Sequence, residues 1–187
     1  MRYINMLRKI IKKLFSFFFI KRTLEFYSFN EILEEKINPP RGYFFDKLNI
    51  DRLDEIKSSN FKFSFLKDEL QKGSKAIVIK DKNNDIISFV FIKSCGDFFI
   101  SELNANIKIE KSIYIYGANT CDKHRRKGLY KLLLKKILTE NNDKKIISVE
   151  STNYISKKAI ESVDFKFYFN ITSKTFFSLF SVMKVGV

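Results

Sequence analysis

Histidine occurs once in this 187-residue chain, cysteine twice, proline twice and tryptophan not at all. These scarcities narrow the chemistry. His124, Cys95 and Cys121 form no CxxC pair and no metal-ligand spacing, so no metal is expected. Two isolated thiols suit a reducing cytosol and hence a cytoplasmic location. Acidic residues are absent from the first 22 positions, whereas Arg2, Arg8, Lys9, Lys12, Lys13, Lys21 and Arg22 are all basic. The longest apolar run there, Leu14–Ile20, is broken by Ser16 and falls well short of the about 20 residues that span a bilayer. Lys21-Arg22 follows it instead of small residues, which argues against a signal peptide. The segment fits a packing helix with a solvated basic face. The less favoured alternative is peripheral contact with an anionic membrane surface through residues 1–22.

Aromatics and positive charge are abundant. Twenty-one Phe and eight Tyr supply apolar area and exclude a disordered chain. The length is enough to bury roughly 70% of the surface of the unfolded chain. A net charge of +14 predicts attraction to polyanions without saying which. Pro39-Pro40-Arg41-Gly42 is the strongest breaker cluster and holds both prolines. It divides a basic, aromatic-rich extension, residues 1–41, from a core domain, residues 42–187.

Within that domain Gly42–Leu48 reads as a strand, Asp51–Ser58 and Phe61–Lys72 as helices, and Lys75–Lys80 with Ile86–Lys93 as a hairpin. Cys95-Gly96-Asp97 reads as a second turn, followed by strand Phe98–Ser101 and an ambiguous polar stretch to Lys111. Ser112–Thr120 is a strand with Ile113 and Ile115 on one face, Tyr114 and Tyr116 on the other. From Leu129 the apolar spacing becomes helical through Leu132, Leu133 and Ile137. Strand Lys145–Glu150, helix Tyr154–Ser162 and strands Phe165–Thr172 and Lys174–Lys184 follow. The pattern predicts an α/β fold: a mixed, mostly antiparallel twisted sheet flanked by helices.

One segment concentrates chemistry. Arg125-Arg126-Lys127-Gly128-Leu129-Tyr130 lies between the strand ending at Thr120 and the helix starting at Leu129. A helix's first turn has N–H groups without intrahelical partners and a dipole that favours anions. Glycine admits close approach to the backbone, and the arginines and lysine add charge. Together these describe a phosphate cradle. A second segment, Asn153-Tyr154-Ile155-Ser156, opens a helix directly after a strand.

In combination the two segments resemble the GNAT superfamily of acetyl-CoA-dependent N-acetyltransferases, with the order of elements matching over Gly42–Val187. The resemblance implies that backbone N–H groups of Arg126 through Lys131 (Arg126, Lys127, Gly128, Leu129, Tyr130, Lys131) hold the coenzyme pyrophosphate, with Arg125 beside them. It further implies that Asn119, Thr120 and Cys121 pair with pantetheine and offer an N–H to the thioester oxygen. Asn153 and Ser156 would flank the pantetheine arm, and the two strands would splay after Thr120. Acetyl-CoA would be the co-substrate, without a metal, and a primary amine the acceptor, possibly an amino sugar or nucleotide-sugar. Ile160 stands where many members carry a tyrosine that protonates the leaving thiolate, which makes Tyr154 the substitute. Tyr116 and Glu150, with Glu102 third, are the candidate bases. No histidine–carboxylate arrangement near Cys121 points to a covalent acyl intermediate. The competing expectation is a non-catalytic basic protein that retains the fold and binds an anionic membrane surface or, less favoured, nucleic acid.

Overall fold

The computed structural model describes residues 19–55, 63–140, 142–176 and 180–186. Eight strands in them form one sheet, in the order β2-β3-β4-β5-β6-β1-β7-β8. They are β1 (Phe19–Phe29), β2 (Tyr43–Leu48), β3 (Lys75–Asp81), β4 (Ile86–Ile100), β5 (Ala105–Thr120), β6 (Lys144–Glu150), β7 (Lys166–Phe176) and β8 (Phe180–Gly186). Three α-helices accompany them: α1 (Phe63–Gln71), α2 (Leu129–Leu138) and α3 (Tyr154–Glu161). β5 and β6 are parallel and every other neighbouring pair is antiparallel. The expected mixed, mostly antiparallel sheet flanked by helices is the one observed.

Local patterning accounts for the helices. Leu129, Leu133, Leu134, Ile137 and Leu138 are the buried stripe of α2, and Leu132 is only partly buried. With Ile160 of α3 they cover one face of the sheet, packing on Ile77, Val90, Ile113, Ile115, Ile147 and Val149. On the other face, α1 contributes Leu66 and Leu70 to a cluster with Val78, Phe89 and Phe91. The far end of the β4–β5 hairpin brings Phe98, Ile100, Leu103 and Ile109 onto Leu24, Phe26, Tyr114 and Ile146 of that same face. A fully buried Leu of this kind contributes about 1.5–3 kcal/mol. α1 and the hairpin end are thus separate covers over one face, with space between them.

Three expectations need correction. Phe19–Phe29, N-terminal to the Pro39-Pro40 boundary, is β1, hydrogen-bonded to β6 through Leu24–Phe29 and to β7 through Phe19–Ser28. Part of the expected extension, Phe19–Phe29, thus belongs to the sheet, and Phe19–Arg22 is strand instead of helix. The rest of the expected membrane-facing segment, residues 1–18, lies outside the described residues. Cys95-Gly96-Asp97 does not turn the chain: β4 continues through a register shift between Ser94 and Gly96 and turns only at Ser101–Asn104. The polar stretch to Lys111 is strand, because its outward side chains face water while Ile107 and Ile109 pack inward. Finally, the helix expected over Asp51–Ser58 is a 3₁₀ turn at Ile50–Glu55, and residues 56–58 lie outside the described set. One break also moves: β7 runs on through Ser173 to Phe176 instead of ending at Thr172.

Candidate active site

The parallel pair β5–β6 is short. Its register covers only Ser112–Ile115 against Lys144–Ile147. Beyond that point β5 stays with β4, where Asn119 faces Phe89 and Thr120 faces Ser88. β6 stays with β1, where Glu150 faces Leu24. The strands therefore diverge after Ile115 and Ile147, earlier than the expected opening after Thr120. Gly117 supplies the local cause. It has φ +61°, and a register shift between Phe89 and Phe91 marks a bulge opposite it. A Cβ there would lie 2.8 Å from Cδ2 of Phe91, so only glycine fits without displacement.

A cavity of about 450 Å³ fills the opening. Gly117 and Ala118 line it from β5, Ser148 and Glu150 from β6, and Asn153 and Ser156 from α3. Phe65 and Glu69 of α1 and Ser101 and Glu102 of the hairpin turn close the other side.

The backbone beside it is arranged for anions. Gly128, φ +72°, caps α2 without a side chain, so the N–H groups of Leu129, Tyr130 and Lys131 have no intrahelical acceptor. Among the described residues, no backbone acceptor engages the N–H of Arg126, Lys127 or Gly128 either. Arg126 has φ +62°, a left-handed conformation that tightens the turn. Arg125 braces it: its Nε donates to the Thr120 carbonyl at 3.2 Å, and its guanidinium lies 2.8 Å from Asp122. Lys127 donates to the Tyr43 hydroxyl at 3.1 Å, and that hydroxyl lies 3.3 Å from His124 Nδ1. His124 is thus a neighbour of the loop, held by β2.

The strand end departs from expectation. The N–H of Cys121 donates to the Ile87 carbonyl at 2.9 Å, so it is not available to a thioester. In an antiparallel ladder the direction of backbone groups alternates. Asn119 shares the β4-facing direction of Cys121, and its carbonyl accepts from Ser88 Oγ at 3.1 Å. Thr120 is engaged as well: its Oγ1 lies 2.7 Å from Ser88 Oγ, and its carbonyl accepts from Arg125 Nε. Neither Asn119, Thr120 nor Cys121 lines the cavity, whereas Gly117 and Ala118 do.

Of the candidate catalytic residues, Tyr116 and Glu150 line the cavity, as does Glu102, but Tyr154 does not. Tyr154 is 68% exposed, with Lys157 Nζ 5.8 Å from its ring centre. Ile160 is buried in the core. Tyr116 donates to Glu69 Oε2 at 2.7 Å and lies 2.5 Å from Ser74 Oγ, which donates to it in turn. Burial first, and then the Glu69 carboxylate, push the Tyr116 hydroxyl well above its ordinary pKa, against the opposing effect of Ser74. A phenol so held keeps its proton and is a poor base by itself. The carboxylate it grips can accept a proton. Glu69 also pairs with Lys72 at 2.8 Å and keeps its side chain largely shielded from water.

Glu69 was not among the sequence candidates. The available signal was its position next to the apolar stripe of Leu66 and Leu70, where an acid is drawn toward the protein side of its helix. Gly117 also carried a signal, as a lone glycine inside a strand pattern. Asn153 caps α3 by accepting from the Ser156 N–H at 3.1 Å, which leaves its amide N–H₂ for another partner. Tyr130 lines the cavity and packs on the core, and burial raises its pKa.

No family model and no curated protein matches the sequence. Solved structures do. An acetyltransferase of the GNAT family from Colwellia psychrerythraea superposes with TM-score 0.55 at 14% identity, over 84% of this chain and 57% of its own. A GNAT-family structure described as an acetyltransferase from Novosphingobium aromaticivorans gives 0.54 at 11%, over 83% of this chain and 64% of its own. A GCN5-related N-acetyltransferase-like protein from Streptococcus suis gives 0.57 at 10%, over 90% and 67% respectively. The chain therefore spans about 60% of the length of the first two. The splayed parallel pair, the glycine-capped helix after it and these superpositions agree: the chain has the fold of the GNAT superfamily.

Proposed function

We propose that this protein transfers an acetyl group from acetyl-CoA to a primary amine by direct attack of the amine on the thioester. The observation that carries the proposal is the opening between β5 and β6, beside a turn whose N–H groups from Arg126 to Lys131 have no backbone acceptor among the described residues. A pyrophosphate at those N–H groups, with Arg126 and Lys127 alongside, directs the pantetheine arm into the cavity. The Asn153 amide and Ser156, which line the cavity, pair with the arm. Ala118 takes the role expected of Asn119, Thr120 and Cys121, offering its N–H to the thioester oxygen as charge develops there.

The incoming amine arrives as an ammonium and must lose a proton before attack. Glu69 accepts that proton directly or through one water, and Tyr116 holds the carboxylate in place. The new C–N bond forms as the C–S bond breaks, and coenzyme A leaves as a thiolate that takes a proton from solvent. Glu150 is the alternative base at the opposite wall. An amino sugar carrying a free ammonium suits this site, whereas a nucleotide-sugar would bring its phosphates against Glu69, Glu102 and Glu150.

Thermal unfolding with and without acetyl-CoA tests the reading. A ligand at 100 times its Kd stabilises the folded state by about 2.7 kcal/mol, which raises Tm by several degrees. Gly128→Asp should abolish the shift by placing a carboxylate at the pyrophosphate, while the neutral Gly128→Asn retains part of it. Added Cβ atoms meet nothing within 4 Å there, and Asp and Asn are the side chains that best tolerate its φ of +72°, so both variants should fold. A shift with an oligonucleotide or anionic vesicles but none with acetyl-CoA would favour the non-catalytic basic protein instead.

A further inference from the structure

The cavity's charge is opposite to that of the chain. Lysine and arginine outnumber aspartate and glutamate by 35 to 21, yet the charged side chains lining the cavity are Glu69, Glu102 and Glu150. They come from three elements, α1, the β4–β5 turn and the end of β6, so the acidity belongs to the cavity and not to one stretch of sequence. Phe65, Tyr114 and Tyr116 add aromatic faces, which attract cations. Glu69 has its own lysine, but among the described residues no ion pair engages Glu102 or Glu150. Glu102 also borders a second cavity of about 330 Å³, lined by Asn104, Ser173, Thr175 and Arg22, whose guanidinium disfavours a cation there. Of the two cavities that Glu102 borders, the acidic one, with no lysine or arginine among the described residues lining it, is the one that suits ammonium groups.

We propose that the acceptor is a flexible polyamine with at least two ammonium groups, one delivered to the thioester beside Glu69 and another held by Glu102 in the same acidic cavity. This rests on the transferase reading. In it, Glu102 selects the substrate without entering the reaction, and methylene segments between the charges lie against the aromatic wall.

Steady-state kinetics on the full chain with saturating acetyl-CoA would compare spermidine, n-butylamine and glucosamine. Spermidine should exceed n-butylamine in kcat/KM by at least about tenfold. Glu102→Gln should remove most of that preference through KM, with kcat and Tm little changed, because Glu102 is exposed on a turn. Equal use of n-butylamine or glucosamine, or an unaltered preference in Glu102→Gln, would overturn the inference while an intact acetyl-CoA thermal shift leaves the transferase reading standing. Loss of the acetyl-CoA shift would overturn both.

Discussion

Gly117 and Tyr116 are adjacent, and each fixes a different part of the site. Gly117 adopts φ +61° with Phe91 against its Cα face, so β5 bulges where it must part from β6. Gly117→Ala would impose about 1–2 kcal/mol for a side chain in the left-handed region, plus the displacement of a buried Phe91 ring. The urea midpoint of this variant should fall clearly, with the slope unchanged. Wild-type stability in Gly117→Ala would mean the bulge is not held as described. Tyr116 acts through a hydrogen bond instead of sterics. Its ring stacks on Tyr114 at 5.3 Å while its hydroxyl orients Glu69.

At the scale of elements, α2 and α3 both direct their N-termini at the opening, but by different caps. α2 begins at a glycine that leaves its N–H groups open, whereas α3 begins at Asn153, whose side chain occupies one N–H of its own helix. The two ends are therefore suited to different tasks, anion binding at α2 and a lateral contact at α3. Asn153→Ala should cost about 1 kcal/mol of stability through the lost cap. Asn153→Asp keeps a capping oxygen and places a negative charge favourably at the helix N-terminus, so its stability should match wild type. It lacks the amide donor, however, and acetyl-CoA should bind it more weakly by calorimetry. Unchanged affinity in Asn153→Asp would confine Asn153 to capping.

For the whole molecule, burial of phenols and the partly buried Arg52–Asp46–Lys80 cluster set the pH range. Burial is the leading cause that raises Tyr27, Tyr114, Tyr116 and Tyr130 above the ordinary value of 10.0, Tyr114 to about 12. Above pH 10 the unfolded chain releases these protons while the folded chain retains them, so the folded state binds more protons and stability falls as pH rises. At the acidic end, burial opposes ionisation of Asp46, but Arg52 and Lys80 outweigh it and hold its carboxyl well below the usual carboxylate range. Its contribution is complete above the unfolded value near about 4 and is lost as pH falls toward the folded value. Chemical denaturation across pH should show a plateau, an acid decline that Asp46→Asn reduces, and a steep decline above pH 10. A flat profile between pH 10 and 12 would contradict the burial of these hydroxyls.

Much of this was legible locally. The helical stripe from Leu129 to Ile137, the β3–β4 hairpin, the Asn153 cap and the basic glycine turn are set by neighbours within a few residues, so periodicity and turn chemistry reveal them. Strand partners are another matter, because β pairing depends on residues distant in sequence and leaves no local trace. The insertion of Phe19–Phe29 between β6 and β7, the continuation of β4 past Cys95-Gly96-Asp97 and the early divergence of β5 from β6 are of this kind. So is the meeting of Glu69, Glu102 and Glu150 at one cavity, from positions spread over eighty residues. Short-range chemistry set the elements and the anion-binding turn; long-range packing chose which N–H groups stay open and which carboxylates face them.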